Sequence, residues 1–262
     1  MGIINVTPDS FSDGGKFLSV EAAVEQALRL ADEGADLLDI GGESTRPYSD
    51  PVSTEDELGR ITPVFETLAN RVSIPLSIDT NKSAVARAAL AAGAEIINDV
   101  TALTGDPAML QLAAESAAGI CAMHMQGTPQ TMQDSPHYDD VVREVREYLR
   151  SRLEALVAAG IAAERVCLDP GIGFGKTHQH NLTLMAHCDQ LHVLGRPLLV
   201  GHSRKGFLGE LLGDEQADRT SATVGAALSL AVQGVQVIRV HDVRGVREAL
   251  LAFDAAGGLG AS

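Results

Sequence analysis

The 262-residue chain has no tryptophan and only 3% aromatic residues, so any core it builds must be aliphatic. It has three cysteines, Cys121, Cys167 and Cys188, too far apart for a C-x-x-C motif or a disulfide framework. They read as reduced thiols of a cytoplasmic protein. No apolar run reaches the roughly 18 residues of a membrane span, and no basic segment leads into an apolar signal region. A soluble, untargeted protein with no membrane partner is expected. Basic residues are also scarce: 20 Lys and Arg face 35 Asp and Glu, for a net charge of -15. Such a surface repels a phosphate backbone, which argues against nucleic acid as a partner. An anionic substrate would have to be held by cations placed locally.

Apolar residues at 45% and charged residues at 21% are ordinary globular usage. Short β-rich runs alternate with helical patterns throughout, the signal of βα units and a parallel sheet. Candidate strands start near Gly2, Asp36, Leu76, Glu95, Ile120, Val166, Leu198 and Val235. Between them, Val20, Val24, Ala27, Leu28 and Ala31 follow helical spacing, as do Val85, Ala88, Ala89 and Ala92, then Val142, Val145, Leu149, Leu153 and Leu156. Gly34, Gly93, Gly119, Gly160 and Gly234 each stand between a helical pattern and a strand, where glycine permits a left-handed helix end. Thr54 and Glu57 read as a capping box. No Ser/Gly/Pro-rich linker divides the chain, so one domain over 1–262 is expected.

Eight βα units that close on themselves make a (β/α)8 TIM barrel of class α/β, with its active site at the C-terminal strand ends; an open doubly wound sheet is the alternative. The polar residues favour the barrel. Successive strands run out into Asn5, Asp39, Asp79, Asn98, His124, Asp169, His202 with Ser203, and His241, which would all face one mouth.

The run Pro170-Gly171-Ile172-Gly173-Phe174-Gly175-Lys176-Thr177 invites a nucleotide reading, but Pro170 stands where a P-loop needs its first glycine. Lys176 likewise replaces the third glycine of a dinucleotide fingerprint. The loop instead suits close approach of backbone to a flat ligand. Asp79, Asn98 and Asp169 offer acceptors to a ligand edge rich in N–H donors, such as an aminopyrimidinone; the plainer possibility is that each satisfies a nearby backbone group. Arg46, Arg204, Lys205, Arg239 and His241 gather cations at the same mouth, which in so acidic a chain suggests a phosphate or pyrophosphate. His178 and His180 have no third ligand nearby in sequence to make a transition-metal site, and no G-x-S-x-G elbow supports a hydrolase.

The segments Met1-Gly2-Ile3-Ile4-Asn5-Val6-Thr7-Pro8-Asp9-Ser10-Phe11-Ser12-Asp13-Gly14-Gly15 and Asp39-Ile40-Gly41-Gly42-Glu43-Ser44-Thr45-Arg46-Pro47 closely resemble the first two loops of the dihydropteroate synthase family. Ser77-Ile78-Asp79-Thr80, Ile96-Ile97-Asn98-Asp99, Met123-His124-Met125-Gln126-Gly127, Leu168-Asp169-Pro170-Gly171, Ser203-Arg204-Lys205 and Arg239-Val240-His241-Asp242 follow in family order. The resemblance implies a TIM-barrel enzyme that joins 6-hydroxymethyl-7,8-dihydropterin pyrophosphate to p-aminobenzoate, with Mg²⁺ as cofactor and a homodimeric assembly. By position, Asp79, Asn98, Asp169, Lys205 and Arg239 resemble the pterin contacts. Asn5, Thr45, Arg46, Arg239 and His241 resemble the pyrophosphate pocket, with Asn5 also near the metal. Phe11, Pro47, Phe174, Lys205 and Gly206 fall where the family holds p-aminobenzoate. Catalytic roles fall to Asp13, Lys205, Arg239 and His241.

In two places the chain departs from the family. Gly206 stands where a serine is common, and the first strand starts at once, without the short segment that usually precedes it. A different class, the pterin module of a corrinoid methyltransferase, explains neither Asn5 nor the Ser44–Pro47 loop. Because Gly, Ser, Asp and Pro dominate residues 7–16 and 43–51, both segments are expected to be mobile lids that order over pyrophosphate before p-aminobenzoate enters.

Overall fold

The computed structural model describes residues 1–6 and 16–260. Strands β1 (Gly2–Asn5), β2 (Leu38–Gly41), β3 (Leu76–Asp79), β4 (Ile96–Asp99), β5 (Gly119–Met123) and β6 (Val166–Asp169) pair in sequence order, all parallel. Strands β7 (Leu199–Val200) and β8 (Val237–Ile238) form a short parallel pair. Two bridges close the ring. Leu168 pairs with Leu198 and Gly2 with Val240, and Ile3 N–H donates to the Val240 carbonyl at 3.0 Å. The result is the expected (β/α)8 barrel rather than an open sheet.

Helices α1 (Lys16–Asp32), α2 (Thr54–Leu68), α3 (Ser83–Ala91), α4 (Met109–Glu115), α5 (Val141–Ala158) and α6 (His178–Ala186) follow the first six strands. After β7 come α7 (Gly206–Leu211) and α8 (Thr220–Val232), and α9 (Val243–Ala255) follows β8. Their apolar faces, such as Ala23, Val24, Ala27 and Leu30 of α1 and Val142, Val145, Leu149 and Leu156 of α5, are buried against the outside of the barrel. That outer layer takes every second strand residue: Ile4, Leu38, Ile40, Leu76, Ile78, Ile97, Ile120, Ala122, Val166, Leu168, Leu198 and Val200. The alternate residues point inward. Met1, Leu37, Cys121, Cys167, Leu199 and Val237 form a small separate core inside the barrel. The same alternation, carried in steps of two up each strand, sends Asn5, Asp39, Asp79, Asn98, Asp169 and Arg239 inward as well. It is this parity that assembles the site.

Gly34, Gly93, Gly160 and Gly234 adopt positive φ at helix ends, but Gly119 does not, because α4 stops at Glu115 and Gly119 already belongs to β5. A Cβ on Gly160 would meet nothing within 4 Å, so Gly160→Ala isolates the backbone cost of φ +93°. We expect it to lower stability by about 1 kcal/mol, while Gly119→Ala changes it by less than about 0.5 kcal/mol, as urea midpoints would register.

The expected capping box is also displaced. Ser53 caps α2 by accepting from Asp56 N–H at 3.1 Å, and Glu57 is wholly buried with its carboxylate 2.5 Å from Lys82 Nζ.

Candidate active site

Arg239 is the centre of the mouth. Its Nε donates to Asp39 Oδ2 at 2.6 Å and its Nη2 to Asp79 Oδ2 at 2.9 Å. Burial works against the guanidinium charge, but the two carboxylates outweigh it and hold Arg239 charged. Asp39 also accepts from Asn98 Nδ2 at 3.0 Å. This bond decides which way the amide faces: with Nδ2 committed to Asp39, Asn98 has its carbonyl oxygen left to offer a ligand. Asp39 Oδ1 is buried with no partner among the described residues.

Burial pushes the Asp79 carboxyl up to about 7, against the pull of Arg239. Asp169 is raised too, again by burial, although its Oδ1 accepts from Gly171 N–H at 2.7 Å. Lys205 lies opposite. Burial lowers its ammonium to about 8 despite the attraction of Asp169. Its Nζ stands 4.4 Å from the Phe174 ring centroid and donates to the Ile172 carbonyl. Gly206 opens α7, and a Cβ there would meet nothing within 4 Å, so the missing serine leaves a gap beside Lys205.

The anion side differs from expectation in one respect. His241 is not a cation: burial first, then the charges of Arg204, Arg239, Arg46 and Lys205, lower it to about 4. Its Nδ1 lies 3.0 Å from Ser203 Oγ, so a neutral ring contributes a hydrogen bond rather than a charge. Arg46 and Pro47 are exposed on the rim with Thr45 partly covered, and Arg46 stands close enough to act on His241. Asn5 ends β1, paired with Gly41. Phe11 and Asp13 lie outside the described residues, as does most of the 7–16 segment.

The 43–51 segment, expected to be a lid, is hydrogen-bonded at its neck and near its tip. Glu43 accepts from Val52 N–H at 2.7 Å and from Lys82 Nζ at 2.7 Å, which closes the loop at its neck. Tyr48 reaches the loop after β5, donating through its hydroxyl to Asp134 at 3.0 Å and through its N–H to the Pro129 carbonyl at 3.1 Å.

Two strand-end residues expected in the mouth point away from it. His124 follows inward-facing Met123, so it turns outward, stacking edge-on with Tyr148 at 4.8 Å between ring centroids. His202 is fully buried with Nε2 2.9 Å from the Thr223 carbonyl of α8. The glycines of the 171–175 run also serve the fold as much as any ligand, since a Cβ on Gly171 or Gly175 would collide with the His124 or Gln126 carbonyl. His180 accepts from Thr177 N–H at 3.2 Å as part of a capping box on α6, while His178 pairs with Glu210 at 2.7 Å. Asp39 and Ser203, expected at the mouth without a role of their own, hold Arg239 and His241 respectively. Asp39 faces the mouth as expected, two residues from Leu37 and on the same face, and its role as the partner of Arg239 and Asn98 emerges only from the structure.

The pterin binding enzyme family model matches residues 1–241. The dihydropteroate synthase of Neisseria meningitidis serogroup C is 49% identical over 98% of this chain and 92% of its own. That of Escherichia coli K12 is 47% identical, over 97% and 90%. Among solved structures, the Yersinia pestis dihydropteroate synthase in a sulfonamide drug complex superposes with a TM-score of 0.92 at 47% identity, covering 98% of this chain and 93% of that one. The Xanthomonas albilineans enzyme with 4-aminobenzoic acid gives 0.91 at 50% identity, covering 98% and 92%. The latter enzyme in complex with 7,8-dihydropteroate gives 0.88 at 47%, with the same coverage. The chain belongs to the pterin-binding enzymes and, within them, to the dihydropteroate synthases, the transferases of folate biosynthesis.

Proposed function

We propose that the two sides of the mouth divide the reaction: carboxylate and amide oxygens hold the pterin, and the cations opposite hold the leaving pyrophosphate. The observation that carries this is the inward ring of Asp79, Asn98 and Asp169 around Arg239 and Lys205. Asp79 and Asp169 accept from the N–H edge of the dihydropterin, and Asn98 presents its carbonyl to the same edge. Thr45, Arg46, Arg239 and His241 bind the pyrophosphate. Arg239 spends two of its N–H bonds on Asp39 and Asp79 and keeps others for the anion.

The amine of p-aminobenzoate is neutral at pH 7 and needs no strong base. Its nitrogen forms a bond to the exocyclic carbon of the pterin as the C–O bond to pyrophosphate breaks, and the surplus amine proton passes to water. Positive charge that builds on the exocyclic carbon is spread into the electron-rich ring, with Asp13 as the stabilising carboxylate. Positioning and electrostatics supply most of the rate. Phe11, Pro47, Phe174 and Lys205 frame the arylamine, and the Gly206 N–H at the start of α7 stands ready for its carboxylate.

Among the described residues no three His, Cys, Asp or Glu side chains gather as a metal cage. Mg²⁺ takes most of its ligands from phosphate and water, so the substrate pyrophosphate would supply most of its shell. Asn5 would be the chain's own contact to it. When bound, Mg²⁺ neutralises charge on the departing pyrophosphate. We further propose a homodimer, supported by exposed Val232 and Leu251 on α8 and α9, and a cytoplasmic location, supported by free thiols at Cys121, Cys167 and Cys188. No described helix is long and apolar enough to cross a membrane.

The test is an assay for 7,8-dihydropteroate from the two substrates with and without Mg²⁺. Product only with Mg²⁺ is expected; folded protein that binds methyltetrahydrofolate but forms no dihydropteroate would overturn the reading.

A further inference from the structure

We propose that Lys176, which none of the ligand contacts above includes, is a positioning residue for p-aminobenzoate: it fixes the glycine loop after β6 and through it the Phe174 ring. This rests on Phe174 and Lys205 forming the p-aminobenzoate wall.

The loop has almost no regular backbone structure of its own. Gly171, Gly173 and Gly175 sit at φ +68°, +84° and +60°, and the one bond closing the turn is Phe174 N–H to the Gly171 carbonyl at 3.1 Å. Phe174 therefore stands between two glycines, the residues that restrain a backbone least. What holds it comes from side chains. Four successive carbonyls each accept from a different one: Ile172 from Lys205, Gly173 from Gln133 at 3.0 Å, Phe174 from Lys176 at 2.9 Å and Gly175 from Tyr138 at 2.8 Å.

Of these donors Lys176 is the most deeply set, with 2% of its surface exposed. Its Nζ lies 2.9 Å from His124 Nδ1 and 3.4 Å from the His124 carbonyl, the group against which Gly171 is packed. One amine thus joins the loop after β5 to the loop after β6. A buried amine is costly, and a methionine would fill the same space without that cost. The amine supplies what hydrocarbon lacks, a donor for the Phe174 carbonyl. Burial and the charge of Lys205 lower the Lys176 amine well below its ordinary value, against the pull of Asp169, and a neutral amine still donates. Asp169, by contrast, precedes the loop on the rigid strand, so the pterin side is held independently of it.

The test uses Lys176→Met and Tyr138→Phe in the full enzyme, with Mg²⁺ and both substrates. For Lys176→Met, KM for p-aminobenzoate should rise about tenfold, the equivalent of one lost buried hydrogen bond. kcat at saturating p-aminobenzoate and the dissociation constant of the pterin should stay within about twofold. Tyr138→Phe, which frees only the neighbouring Gly175 carbonyl, should raise the same KM about threefold and keeps the question open to measurement should Lys176→Met fail to fold. A role in stability alone would lower the melting temperature and leave KM unchanged, and that result overturns the proposal. So does a pterin affinity weakened in proportion to KM. Failure of the underlying functional reading looks different, since the unmodified enzyme would then make no dihydropteroate at all.

Discussion

Arg239→Met is expected to cost the folded protein about 3–5 kcal/mol, the range for deleting one partner of a buried ion pair. Two carboxylates depend on this one guanidinium, and both are covered: the Asp39 side chain is 0% and the Asp79 side chain 11% exposed. Methionine would leave both carboxylates buried without the guanidinium that pairs with them. Asp39 would be worse off, because its Oδ1 has no partner even in the intact site. The cost should therefore be recoverable. Asp39→Asn removes one of the stranded charges and still offers an oxygen to Asn98, so the double variant Asp39→Asn with Arg239→Met should regain about half of the loss or more. Urea unfolding of the two single variants and the double variant measures the cycle. Strict additivity would show that Asp39 and Arg239 do not act as a pair, and the account of the mouth as a charge-balanced unit would fail.

That pair also shows what the sequence could and could not reveal. The barrel was legible because its signals are local: Val- and Ile-rich runs, helical spacing, and Gly34, Gly93, Gly160 and Gly234 between them. Strand starts at Gly2, Leu76 and Val166 fall where periodicity placed them. The acceptor ring of Asp79, Asn98 and Asp169 was legible for a related reason, since each ends a strand. Which way a strand-end residue faces is set by parity along the strand, and a short strand such as Leu199–Val200 gives too few residues to read it. His202 was misplaced for this reason, and His124 because it stands one residue past the end of β5, where the alternation of Cys121 and Met123 turns it outward. Glu57 was misread because a carboxylate three residues after Thr54 fits a capping box equally well; only the partner Lys82, distant in sequence, draws it into the core. The ionic state of His241 was out of reach too, as it depends on burial and on four cations: Arg46 from the loop after β2, Arg204 and Lys205 from the loop after β7, and Arg239 at the end of β8.

The same crowding of charge should give the reaction a narrow pH range. Asp79 must be ionised to accept from the N–H edge of the pterin, and burial raises its carboxyl to about 7. Lys205 must be protonated to remain a cation, and burial lowers its ammonium to about 8. We expect kcat/KM for the pterin substrate to rise through about pH 7 and fall above about pH 8, so that at pH 5 it is about 100-fold below its maximum. For stability the sign is the reverse on the acid side. A carboxyl with a raised value binds its proton more tightly in the folded chain than in the unfolded one. Ionising it as pH climbs from about 4 to about 7 therefore lowers stability in the absence of ligand. Asp99, raised by burial to about 6, acts in the same direction but faces the helices, so it adds to the stability trend and not to the activity limb. Asp79→Asn separates the two. The acid limb of kcat/KM should vanish, the alkaline limb should stay, and the fall in stability between about pH 4 and pH 7 should shrink. Rate profiles between pH 5 and 9, with urea midpoints across the same range, decide the matter: an acid limb that persists unchanged in Asp79→Asn would assign the proton to another group and leave Asp79 ionised throughout.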